Sequence, residues 1–189
     1  MITGQQLEML AFQSGQWYNS VIVQGGRFLD ALDTTHGQFP WENGHDIFLP
    51  EKMFLITAIY HTISCFKQLD KELQNRGDTS FHPFLEKIAS TAEQDKIQRW
   101  RNLNEHSLEY LVGKGKFPGE DIRTVDNGEY QFKILATATF VHGDIGVFMI
   151  GDVDIGKLLI KFKENQTTVL QKIETIFDNA FTANTTETT

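Results

Sequence analysis

Arg101, Asn102 and His106 are the residues whose types and spacing could do chemistry together. They lie within Asp95 to Phe117, DKIQRWRNLNEHSLEYLVGKGKF, the stretch richest in reactive groups. A histidine titrates near neutral pH and can give or take a proton. An arginine carries a permanent charge and a planar fork of donors that fits a phosphate. Arg99, Glu109 and Tyr110 add polar groups nearby, and Lys114 and Lys116 follow in a Gly-Lys-Gly-Lys loop.

A helix must position these groups. Asp95 reads as its N-cap and Gly113 as its stop. At about 100° per residue, Ile97, Trp100, Asn104, Leu108 and Leu111 share one side, which should face a core. Arg99, Asn102, Glu109 and Tyr110 fall within about 60° of His106 on the opposite side. Arg101 lies about 140° from His106. A straight helix therefore does not bring the two together within one chain; a second chain or a bend is needed. The plain alternative is a solvated face with pairs such as Arg101 to Glu105, each worth about 0.2–0.5 kcal/mol.

Composition bounds what such a helix can serve. The chain has 189 residues, 40% hydrophobic and 22% charged, which suits one globular domain with a sizeable core. Its net charge of −8 disfavours general nucleic-acid binding, which needs a basic surface. RNA would have to meet a local patch, and Lys114 and Lys116 supply one. The single cysteine, Cys65, excludes an internal disulfide and reads as a small buried hydrophobe. No secretory leader and no membrane-spanning run is visible, so a cytoplasmic protein is expected. No ligand spacing for a metal appears, and no cofactor is implied.

In chain order, helical spacing runs from Gln5 to Leu32, with Leu7, Leu10, Ala11, Trp17, Tyr18, Val21, Phe28 and Leu29 among its apolar positions. Gly25-Gly26 interrupts it and marks a kink or a close approach to a neighbour. Asp33 to Pro50 is a connection containing His36, Trp41 and His45. Pro50 opens a second helix to about Arg76, with Leu55, Ala58, Ile59, Thr62, Phe66, Leu69 and Leu73 inward. His61 and Cys65 sit one turn apart on it and read as packed side chains rather than a nucleophile pair. Gly77 to Ser80 is a turn. A third helix, with Phe81, Phe84, Leu85, Ile88 and Ala92 inward, runs almost continuously into the motif helix. From Tyr130 to Val141 the apolar period becomes two, and Val147 to Ile150 returns after His142-Gly143-Asp144. Asp154 caps a last helix to about Phe181. The fold class is mainly α: an antiparallel helical bundle with a β-hairpin at about 130–150, before the last helix. It is one domain, 1–181, with a flexible tail, 182–189.

The run Arg101-Asn102-Leu103-Asn104-Glu105-His106 resembles the motif of the HEPN superfamily, an arginine followed after four to six residues by a histidine. The wider phrase RNxxEHxxEYxxGKGK is similar to a run in uncharacterised bacterial helical proteins of like size. The resemblance implies a helical bundle that usually dimerises. It also implies, for active members, a metal-independent ribonuclease that uses the RNA's own 2′-hydroxyl. Arginine and histidine from both chains meet in the dimer groove of such enzymes. The residues it carries over are Arg101, Asn102 and His106, with His106 as acid or base and Arg101 opposite the phosphate. This chain departs from the pattern in having Leu108 where many active members have tyrosine.

Three functions follow as expectations. The first is a HEPN-like ribonuclease acting as a homodimer on RNA, of toxin or defence type, with Arg99, Tyr110, Lys114 and Lys116 as binding residues and DNA not a substrate. The second is a non-catalytic interaction module. The third is a small-molecule-binding bundle using Trp17, Tyr18, Trp41 and the histidines. Truncating Leu108 or Leu111 to Ala is expected to cost about 2–5 kcal/mol in chemical denaturation. A change within about 0.5 kcal/mol would mean that the motif helix is turned the other way.

Overall fold

The computed structural model describes residues 1–35, 48–105, 122–126, 131–135, 139–142, 147–150 and 153–186, with side chains for 1–31, 51–102 and 153–182. The helices are α1 (Gly4–Thr35), α2 (Phe48–Gln74), α3 (His82–Ile88), α4 (Thr91–Glu105) and α5 (Ile155–Thr186). The chain is mainly helical, as its periodicity predicts.

α1 opens on a reciprocal cap that the sequence spells as Thr3-x-x-Gln6. The Thr3 amide donates to Gln6 Oε1 at 2.9 Å, and the Gln6 amide donates to Thr3 Oγ1 at 3.2 Å. From there Leu7, Ala11, Ser14, Tyr18, Val21 and Phe28 are buried at intervals of three and four or their sum. α1 packs between α2 and α5 and runs antiparallel to both. At its start, the Ile2 amide donates to Glu72 Oε2, and Arg76 Nη2 donates to the Ile2 carbonyl, so α1 begins where α2 ends. Towards α5, Phe12 lies by Phe177 near one end, and Gly25 lies under Leu159 near the other.

Gly25 marks a close approach rather than a kink. A Cβ there would sit 2.8 Å from Leu159 Cδ2, while one on Gly26 would meet open space. The helix continues through both residues.

The core centres on Tyr18. Its ring stacks on Phe66 of α2 at 5.9 Å and tilts against Phe162 of α5 at 5.0 Å, and its hydroxyl donates to the Phe162 carbonyl. Phe66 in turn meets Phe81 edge-on at 5.1 Å, just before α3. All four rings are fully buried. The expected inner stripe of α2 is buried at every position. α2 ends on Gly77 at φ +82°, with the Asp78 amide bonded to the Leu73 carbonyl and the Gly77 amide to the Gln74 carbonyl. This is the left-handed cap that glycine adopts without steric cost.

Several expectations are corrected. The cap of α4 is Ser90, not Asp95. Ser90 Oγ and its amide both donate to Glu93 Oε2 at 2.8 Å, and the Glu93 amide reaches back to Ser90 Oγ. Asp95 is an exposed residue inside the helix, and Ala92 is exposed rather than inward. Leu29 of α1 is also exposed, at 40%.

The single hairpin does not hold either. β1 (Ile122–Asp126) pairs antiparallel with β2 (Gln131–Leu135), Ile122 opposite Leu135. β3 (Thr139–His142) pairs with β4 (Val147–Ile150), Thr139 opposite Ile150, and β4 pairs with the short β5 (Val153–Asp154). The one long strand expected from Tyr130 to Val141 is thus two strands in two sheets. An unforeseen strand precedes them. β5 leads straight into α5, whose first turn is capped by Asp154 Oδ1 accepting from the Lys157 amide at 2.9 Å.

Among the described residues no helix is long and apolar enough to cross a membrane. Phe66→Ala should cost about 3–5 kcal/mol in urea unfolding, because it opens the centre of the core. Phe54→Ala, at a position 58% exposed on the same helix, should stay within about 0.5 kcal/mol.

Candidate functional site

Arg101 and Asn102 lie in the last turn and a half of α4, and α4 packs on α2. The buried residues Gln94, Ile97 and Trp100 fix which way α4 faces. Arg101 stands two full turns after Gln94 and about 40° from Ile97, on the side towards α2. Its guanidinium carbon lies 4.9 Å from the centre of the Tyr60 ring, a cation–π contact. Arg101 Nη1 donates to Asn102 Oδ1 at 3.1 Å. The guanidinium is therefore held between the Tyr60 ring and Asn102. Arg99, Arg101 and Asn102 are all half-buried.

Tyr60 extends the arrangement across α2 to α1. Its ring meets His61 edge-on at 5.3 Å, and His61 stacks on Trp17 at 4.4 Å and 21° between planes. Trp17, Tyr60 and His61 are half-buried. Arginine, phenol, imidazole and indole thus form one row across three helices. Sequence spacing placed Trp17 and His61 in separate helices and gave no sign that they meet. The contact depends on how α1 and α2 pack, which one chain read alone does not reveal.

Tyr18 belongs to the core, not to a pocket. Burial raises its hydroxyl pKa well above the ordinary value, and the hydroxyl is used on Phe162. Cys65 is half-buried, and burial raises its thiol pKa too. That is the wrong direction for a nucleophile, which works as the thiolate. Between Ile56, Ile59, Ile97, Trp100, Val153 and Ile155 lies an apolar void of about 10 Å³, room for one water at most. It gives a small-molecule ligand no site there.

His106, Tyr110, Lys114 and Lys116 lie outside the described residues, as do His36, Trp41 and His45. Among the described residues no group of three His, Cys, Asp or Glu could hold a metal ion.

Two polar contacts brace the frame. Lys161 Nζ of α5 reaches both carboxylate oxygens of Glu93, at 2.9 and 3.0 Å, and ties α5 to the start of α4. Burial pushes the Glu93 carboxyl up, but the bonds from Lys161 and Ser90 outweigh it and hold the pKa below the ordinary value. His82 Nδ1 donates to Asp70 Oδ2 at 2.9 Å, which joins α3 to α2. Gln74 Nε2 donates to the same oxygen at 2.8 Å. The bond to Asp70, and then its charge, raise the His82 pKa. Sequence reasoning missed both contacts, because each links residues on different helices.

No family model matches this chain, and no curated protein and no solved structure matches it. The row from Trp17 to Arg101 therefore stands on its own geometry.

The His82 pair has a definite pH dependence. A histidine with a raised folded-state pKa adds stability below its unfolded value near 6.5 and loses it as pH rises through the folded value. NMR titration should give a higher pKa for His82 in the wild type than in Asp70→Asn. Equal values would show that the pair does not form in solution.

Proposed function

We propose that this chain is a HEPN-like, metal-independent ribonuclease in which Arg101 and Asn102 meet an RNA phosphate and His106 moves protons. The observation that supports the reading is the setting of Arg101, whose guanidinium lies over Tyr60 and bonds to Asn102. An arginine so oriented suits a phosphate whose charge grows as the reaction proceeds. The adjoining row of Tyr60, His61 and Trp17 suits unpaired bases, which stack on aromatic rings. Arg101 then supplies a local positive charge in a chain of net charge −8, and Arg99, Lys114 and Lys116 are the further binding residues of this reading.

In the proposed reaction His106 takes the proton of the 2′-hydroxyl. The 2′-oxygen bonds to phosphorus, the bond to the 5′-oxygen breaks, and the departing oxygen takes up a proton from the protonated His106 of the second chain. The products are a 2′,3′-cyclic phosphate and a 5′-hydroxyl. On a straight helix Arg101 would lie about 140° from His106, so in this reading the two groups come from the two chains of a homodimer. Tyr110 is a binding residue in this reading.

A second reading, an interaction module, is favoured by the uncharged outer face of α1. The two separate in one assay of purified protein on mixed single-stranded RNA. His106→Ala should lower cleavage by about 10²–10⁴-fold, the usual contribution of acid-base catalysis. Cleavage should persist in a metal chelator, and DNA should not be cut. Cleavage unchanged in His106→Ala would contradict the mechanism. No cleavage by a wild-type protein that is monomeric would favour the interaction module.

A further inference from the structure

The hydroxyl of Tyr60 takes no part in the packing around it. The Tyr60 ring itself is held by two contacts, with the Arg101 guanidinium over it at 4.9 Å and the His61 ring edge-on at 5.3 Å. His61 is in turn stacked on Trp17 at 4.4 Å. A tyrosine side chain turns about only two torsions, so these contacts fix where its hydroxyl stands. A buried tyrosine usually gives its hydroxyl a partner, as Tyr18 does on the Phe162 carbonyl. The hydroxyl of the half-buried Tyr60 bonds to no described residue and is open to solvent.

Asn102 has an unused donor as well. An arginine can only donate, so the Asn102 side-chain oxygen must face Arg101 and its amide nitrogen points away. That nitrogen carries two N–H groups and bonds to no described residue. Beside one permanent cation there are thus two neutral donors, one on α2 and one on α4. A cation alone attracts any anion. A fixed phenol and a fixed amide beside it favour an anion with several acceptor oxygens, and bonds from such donors to a charged acceptor are stronger than neutral ones.

We propose that Tyr60 is a binding residue of this site, whose hydroxyl donates to the same RNA phosphate that Arg101 and Asn102 meet. The proposal rests on the ribonuclease reading for its ligand, but it concerns binding and not the cleavage chemistry. It adds a contact from α2, so the phosphate is held between two helices rather than on the motif helix alone. His61 and Trp17, next along the row, then stand where a base attached to that phosphate can stack.

The test is fluorescence anisotropy with a short labelled single-stranded RNA carrying 2′-O-methyl groups, which lacks the 2′-hydroxyl nucleophile and stays intact. Tyr60→Phe keeps the ring under Arg101 and removes only the hydroxyl. It should unfold at the wild-type urea concentration, because that hydroxyl has no partner in the described chain. It should bind the RNA about tenfold more weakly. The dependence of affinity on salt should not change, because no charge is lost. In an Arg101→Ala background the same substitution should matter several-fold less, because two groups on one phosphate are coupled. Wild-type affinity in Tyr60→Phe, with weaker binding by Arg101→Ala, would overturn this proposal and leave the reading of Arg101 standing. Equal losses from Tyr60→Phe in both backgrounds would place the hydroxyl away from that phosphate and overturn it too. Wild-type affinity in both single variants, or no binding by the wild type, would overturn the proposal and the reading together.

Discussion

Everything described in this chain is set by how α1 is held between two antiparallel neighbours, and Tyr18 is the residue that holds it. One ring touches Phe66 of α2 and Phe162 of α5, and its hydroxyl satisfies a carbonyl of α5. A buried tyrosine without a partner for its hydroxyl would cost about 1–3 kcal/mol. The bond to Phe162 thus fixes which turn of α5 lies opposite Tyr18. Gly25 allows the same two helices to close further along, at Leu159. With α1 and α2 in register, Trp17 meets His61 and Tyr60 is left to face Arg101. The candidate site is a consequence of core packing one residue away.

This geometry divides the surface of the described helices into two kinds. Around α4 and α2 lie half-buried polar and aromatic groups whose positions are set by contacts with one another. Along α1 lies a ridge that lacks charge, with Phe12 by Phe177 of α5. The first kind is where the proposed contact with RNA lies. The Lys161 to Glu93 contact ties α4 to α5.

The elements that were legible in the sequence are those that rest on local pattern. The stripe of α2 from Leu55 to Leu73 follows from a 3.6-residue period, and Gly77 and Asp154 follow from the chemistry of helix ends. The start of α4 was legible too, but two signals competed. Ser90 and Glu93 have the spacing of a reciprocal cap, and Asp95 only the right residue type. The segment from Tyr130 to Val141 kept one alternating pattern, yet the ladder changes partner between Leu135 and Thr139. Alternation reports which face a residue takes, not which strand it pairs with. Arg101 and Asn102 were singled out by type and spacing. That Arg101 would lie over Tyr60, beside a Trp17 and His61 stack, depends on contacts between helices far apart in sequence.

The claim that Arg101 meets RNA through its oriented guanidinium has a direct measurement. Arg101→Lys keeps the charge but loses the planar fork above Tyr60. Fluorescence anisotropy with a short labelled single-stranded RNA, over a range of salt, separates the two contributions. The account predicts a several-fold weaker affinity for Arg101→Lys, with an unchanged dependence on salt because the count of neutralised phosphates is the same. Equal affinities for Arg101→Lys and the wild type would contradict it.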